Sequence, residues 1–181
     1  MEKQRTKILF LIQLPPPVHG VSVINKHLYN LSLFDIEYQK HVVELKFSND
    51  LKTLSKLNLG KVFRTLKIAL KLFIKCIRVR PKYIYFTISP ANKTFYRDLI
   101  FVFIIKVLRI KPVYHLHGKG IYQNVKEHPL LRSVYKCVFN NSVIIHLSRH
   151  LVNQELEPLQ LKKAKIYVLI DLLLCHLVGH R

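Results

Sequence analysis

Acid, cysteine and glycine are all scarce in this sequence, and long apolar runs are missing. Ten Asp+Glu stand against thirty Lys+Arg, leaving +20 over 181 residues. A deficit of acid on that scale points to an anionic partner: nucleic acid, an acidic membrane surface or a phosphorylated substrate. The sign of the charge does not choose among them. The three cysteines, Cys76, Cys137 and Cys175, are isolated and odd in number. With no C-x-x-C spacing they support neither a disulfide framework nor a zinc site. Five glycines in a chain that is half apolar make a globular composition, not a disordered one. No stretch reaches the ~18 to 20 apolar residues that a spanning helix needs. The longest, Leu99 to Leu108, is interrupted by Lys106 and reads as a buried helix. The start, MEKQRTKILFLIQLPPP, has a basic flank and a short apolar run but no small-residue cleavage site, so it is not read as a signal peptide. The expectation is one cytoplasmic domain, soluble or peripheral at the inner face of a membrane.

What is present begins with Lys7 to His27. The apolar run Ile8 to Leu14 ends at Pro15, Pro16 and Pro17, which cannot donate to a sheet ladder and so stop a strand. Gly20 lets the chain turn tightly, and Val21 to Leu31 carries apolar residues at helical spacing. The N–H groups around Val21, Ser22 and Val23 then lie at the positive end of a helix dipole, a site suited to phosphate or sugar. The loop is not a Walker loop and lacks G-x-G-x-x-G, so a structural turn is an equal alternative.

Further strands are predicted at 36–45, 82–88, 112–117, 142–147 and 165–169, and helices at 57–80, 95–109, 130–139 and 148–156. Asn49-Asp50 marks a turn. This alternation predicts an α/β fold, a Rossmann-like parallel sheet with helices on both faces and ligands at the carboxyl ends of the strands. In the helix 57–80, Leu59, Phe63, Leu66, Leu70, Phe73 and Ile77 form the apolar face. Lys61, Arg64, Lys67, Lys71, Lys75 and Arg78 lie largely on the other side. From Lys52 to Lys82 there are ten Lys or Arg and no acid, which favours an anionic surface over a merely solvated face. No helix-turn-helix, RNP or zinc-finger signature accompanies the charge, so no nucleic acid is expected.

His115 and His117 share one face of a strand. As metal ligands they lack a third partner nearby in sequence, so no metal is expected. His115 fits a hydrogen-bonded strand histidine. His117 stands at the strand's carboxyl end before Gly118-Lys119-Gly120, where a neutral imidazole could orient a substrate hydroxyl or stabilise developing charge.

Three segments, KILFLIQLPPPVHGVSV, VYHLHGKG and SVIIHLSRHLVNQEL, resemble in content and order the amino-terminal domain of family 4 glycosyltransferases. These are retaining enzymes of the GT-B fold that move a sugar from a nucleotide-sugar donor and need no other cofactor. The resemblance covers about residues 7–169. It implies that Gly20, Val21, Ser22 and Gly118 contact donor phosphate or acceptor, and that His117 acts at the same cleft. It also implies a glycan or glycolipid acceptor and docking of the basic helix on an anionic membrane. One departure is the first loop, where relatives carry two adjacent glycines and this chain has His19 before Gly20. The larger departure is that the donor-binding domain, with its E-x7-E motif, does not follow. After Leu169 the sequence runs IDLLLCHLVGHR, an apolar tail unlike the texture upstream, as after a frameshift or premature stop. The expectation is therefore an acceptor-side domain (1–169) inactive by itself, or half of a split enzyme whose donor domain is a separate chain. A third possibility is a non-catalytic basic module for anionic lipid or nucleic acid.

Overall fold

A computed structural model describes residues 5–46 and 59–169. The predicted turn at Asn49-Asp50 and the tail from Ile170 lie outside the described residues. Six strands form one parallel sheet: β1 (Thr6–Ile12), β2 (Tyr38–Glu44), β3 (Tyr83–Ile88), β4 (Lys111–Leu116), β5 (Val143–His146) and β6 (Lys165–Val168). Their order is β2-β1-β3-β4-β5-β6. This is the α/β, Rossmann-like class expected from the alternation of strands and helices.

By contacts the chain divides into two compact units, one made of the described residues to Thr87 with Phe103–Ile110, the other of Ile88–Val102 with the described residues from Lys111. In the first, β1 pairs in parallel with β2 and β3, with Ile8 opposite Lys40 on one side and Tyr83 on the other. Paired on both edges, its run Ile8 to Ile12 is buried throughout, which is why it reads as continuously apolar rather than alternating. β2 lies at the outside edge of the sheet, and Lys75 Nζ donates to the Val42 carbonyl at 2.9 Å. Around this core run α1 (Gly20–Asn30), α2 (Leu33–Glu37) and α3 (Leu59–Val79). α2 corrects the predicted strand 36–45: Ile36 and Glu37 close a short helix, and the strand starts at Tyr38.

α3 overturns a second expectation. Its buried residues are Thr65, Ile68, Ala69, Leu72 and Cys76, whereas Phe63, Leu66, Leu70, Phe73 and Ile77, the apolar face expected from the sequence, are exposed. The apolar surface of this helix extends over more than half of its circumference, and only one flank can pack. The flank carrying Thr65, Ala69 and Cys76 packs because small side chains let a helix axis approach the sheet closely, where interiors are densely filled.

In the second unit β4, β5 and β6 pair in parallel, Val113 opposite Val143 and Val143 opposite Lys165. Their connections hold α5 (Ile121–Glu127), which was not predicted, α6 (Leu131–Phe139) and α7 (Arg149–Leu151). Ser148 caps α7, its Oγ accepting from Leu151 N at 3.3 Å, and the chain continues as a π-helical turn, Val152–Leu156, then a 3-10 turn, Glu157–Leu159. α4 (Asn92–Val107) joins β3 to β4. It ends with Arg109 N donating to Lys106 O and Ile110 N to Ile105 O, the Schellman pattern. Among the described residues five other than glycine take positive φ: Arg80, Asn92, Arg109, Asn141 and Gln160.

Candidate functional site

Leaving β1, the chain crosses first to β2 on one side and then to β3 on the other, so β1 and β3 flank a switch point. Open α/β sheets bind ligands at the carboxyl ends of such strands. Asn25, fully buried on α1, fastens this end together. Its Nδ2 donates to the Gln13 carbonyl at 3.1 Å and its Oδ1 accepts from Thr87 Oγ1 at 2.8 Å. His19 caps α1 in a reciprocal box: Ser22 N donates to His19 Nδ1 (3.3 Å), and His19 N donates to Ser22 Oγ (3.0 Å). The Ser22 hydroxyl is also shared between the Pro17 and His19 carbonyls. Ser22, predicted to offer its N–H to a ligand, is thus buried and engaged within the cap. Gly20 and Val21 are the first residues of the helix, whose N–H groups have no acceptor in the preceding turn. A Cβ placed on Gly20 would meet no atom within 4 Å, so packing does not require glycine there.

In the second unit, His117 follows β4 and His146 ends β5. The rings of His115 and His117 lie 3.9 Å apart. Burial lowers the pKa of all three imidazoles: His115 to about 3, with repulsion from His117 and His146 adding to it, His117 to about 4, with repulsion from His146 adding to it, and His146 by burial alone. Glu155 and the Gly118 backbone oppose the shift of His146. His146 Nδ1 accepts from Leu147 N at 2.8 Å, which assigns its proton to Nε2. His117 Nε2 is buried without a hydrogen-bond partner among the described residues. No group of three or more His, Cys, Asp or Glu among the described residues is placed to hold a metal ion.

The loops beside these histidines are pinned by two acids that the sequence reading passed over. Glu155 Oε2 accepts from Gly120 N, Ile121 N and Tyr122 N at 2.9, 2.7 and 3.1 Å, fixing the turn that follows Gly118. Gly120 has φ of +129°, and a Cβ there would stand 2.7 Å from Ala91 Cβ, so this glycine is obligatory. A Cβ on Gly118 would make only ordinary contact, 3.6 Å from Pro90 Cγ. Asp98, fully buried and held above the usual carboxylate range by desolvation, accepts from Ser89 N at 2.9 Å and pairs with Arg97 at 2.7 Å. Tyr135 donates its hydroxyl to the Pro90 carbonyl at 2.8 Å. Acids are rare in this chain, and Asp98 beside the apolar run Leu99 to Ile105 was the available signal, whereas Glu155, among Asn153, Gln154 and Glu157, gave none.

Of the predicted surface cations, Arg64, Lys67, Lys71 and Arg78 are exposed on α3, while Lys61 and Lys75 are half-buried. Lys75 is bound to the β2 edge as described. Among the described residues no helix is long and apolar enough to cross a membrane. No family model matches the chain, and no curated protein matches it.

Proposed function

We propose that this chain is the acceptor-side half of a retaining GT-B glycosyltransferase, serving a glycan or glycolipid acceptor at an anionic membrane face in the cytoplasm. One observation carries the proposal. The three segments that resemble family 4 glycosyltransferases fall at β1 with the start of α1, at the end of β4, and at β5 with the turn after it. In a parallel sheet these are the positions where ligands bind. Gly20 and Val21 offer backbone N–H groups to donor phosphate or acceptor, and Ser22 keeps their turn in place. Gly118 gives backbone access beside His117. His117, neutral at physiological pH, receives or donates a hydrogen bond to a sugar hydroxyl rather than acting as a cation. In the family that the three segments resemble, transfer also requires a donor-binding domain, which the resembling residues 7–169 do not cover.

Sequencing the gene past codon 169, over ~600 bases, enough for a second domain of ordinary size, tests this first. A frame encoding Pro-Asn-Gly and later E-x7-E is expected. A chain that includes that domain should then transfer a sugar from a nucleotide-sugar, and His117→Ala should lower that rate at least about tenfold. Transfer by the 181-residue chain alone would refute the claim that it is half an enzyme. RNA binding that survives Lys67→Gln/Lys71→Gln, without any such frame, would favour a non-catalytic basic module.

A further inference from the structure

At 100° per residue the surface of α3 divides into three flanks. One, with Ile68, Ala69 and Leu72 at its centre, packs on the sheet. Beside it Phe63, Leu66, Leu70, Phe73, Ile74 and Ile77 form an arc of about 100° that faces outward. Phe63 is 72%, Leu70 60% and Leu66 53% exposed. Next to this arc stand the exposed cations Arg64, Lys67, Lys71 and Arg78, and the helix has no acidic residue. Single exposed apolar residues are ordinary, but six contiguous ones along one helix mark an interaction surface.

We propose that this apolar flank inserts in the plane of an anionic bilayer, at the boundary of headgroups and acyl chains, with the cationic flank beside it at the level of the phosphates. The proposal deepens the membrane part of the proposed function and is independent of the transferase part. Charge complementarity selects the occupant. A second copy would bring like charges against each other on a chain of +20, whereas an anionic bilayer takes up both flanks. In-plane seating also fits the helix itself. Its 21 residues are long enough to span a bilayer, but six cations and a third flank packed on the sheet forbid that. The membrane contacts expected from the sequence are the lysines and arginines of this helix. Exposure of the leucines and phenylalanines adds an attraction that salt does not screen.

Co-sedimentation of the full chain with phosphatidylcholine vesicles containing phosphatidylglycerol tests this. A fraction should stay bound in 1 M NaCl, where the Debye length is only about 3 Å. Leu66→Gln/Leu70→Gln should weaken partitioning by about tenfold per leucine, with the melting temperature unchanged because neither side chain packs inward. Lys67→Gln/Lys71→Gln should weaken it about fivefold per charge at low salt and have no effect at 1 M. Leu70→Trp should be quenched by brominated acyl chains. Partitioning of the leucine variant equal to wild type overturns the proposal, as does a lowered melting temperature, which would mean the flank packs within the chain. A dimer abolished by the leucine variant, with no vesicle binding, or an unquenched Leu70→Trp, overturns it as well.

Discussion

His115 in β4 and His117 just after it make the chain acid-labile in a defined window. An imidazole whose folded pKa lies below its unfolded value stabilises the fold fully above the unfolded value. That contribution is lost as pH falls from there toward the folded value. For His115 the window runs from 6.5 to about 3, and for His117 from 6.5 to about 4. Within it each buried imidazole costs up to about 1.4 kcal/mol of stability per pH unit, so His115 alone removes about 2 kcal/mol at pH 5. His117 is only half-buried and is discounted for solvent screening, which puts the pair near 3 kcal/mol. Against a total of about 5–15 kcal/mol for an ordinary domain this is a large fraction. Asp98 works in the opposite direction. Its carboxyl, raised by burial, takes up a proton earlier in the folded state and adds stability as pH falls. Comparison with His115→Phe cancels that contribution, because the variant keeps Asp98. Urea unfolding followed by circular dichroism at pH 7.5, 6 and 5 should show wild type losing about 2 kcal/mol more than His115→Phe across the range. Equal losses in the two proteins would refute the assignment of the window to β4.

Two further predictions concern the turns at the strand ends. Gly120→Ala should lower the melting temperature by about 5 °C or more, because a Cβ there is both strained and in collision with Ala91, whereas Gly20→Ala should stay within about 2 °C of wild type. Equal effects would mean that the open space at Gly20 or the crowding at Gly120 is misassigned. Glu155→Ala should destabilise by about 3 kcal/mol in urea and speed amide exchange at Gly120, Ile121 and Tyr122, because three N–H groups lose their acceptor. Glu155→Gln, which keeps an acceptor oxygen, should cost about a third as much.

The strands were legible because a parallel sheet buried on both faces writes itself as short apolar runs, as from Ile8 to Ile12, and prolines punctuate the ends. α1 was legible from its spacing, and so was its entry after the prolines. The flank on which α3 packs was not. When apolar residues cover more than half of a helix, periodicity locates the axis of the stripe and not the part of it that meets the sheet. The residues Thr65, Ala69 and Cys76 decide that by their small size. α5 was missed because seven residues give too few turns for a periodic signal. At the candidate site, Gly20, Val21, His117 and Gly118 were singled out by their place after apolar runs. Asn25, Asp98 and Glu155 support the loops through contacts 9 to 62 residues away in sequence, such as Asn25 with Thr87, and no local pattern announces those contacts.

The left-handed turns bear on how this chain could be made sturdier. Arg80 and Arg109 follow α3 and α4 with φ near 50°, a conformation that costs a side-chain-bearing residue about 1 kcal/mol and glycine almost nothing. Each is also a cationic residue just past the C-terminus of a helix, where the dipole favours positive charge, which offsets part of that cost. A designer who replaces them with glycine relaxes the backbone and at the same time strips two charges from a cation-rich chain. Such variants would raise tolerance to heat while lowering the net positive charge, two properties that meet in the same residues.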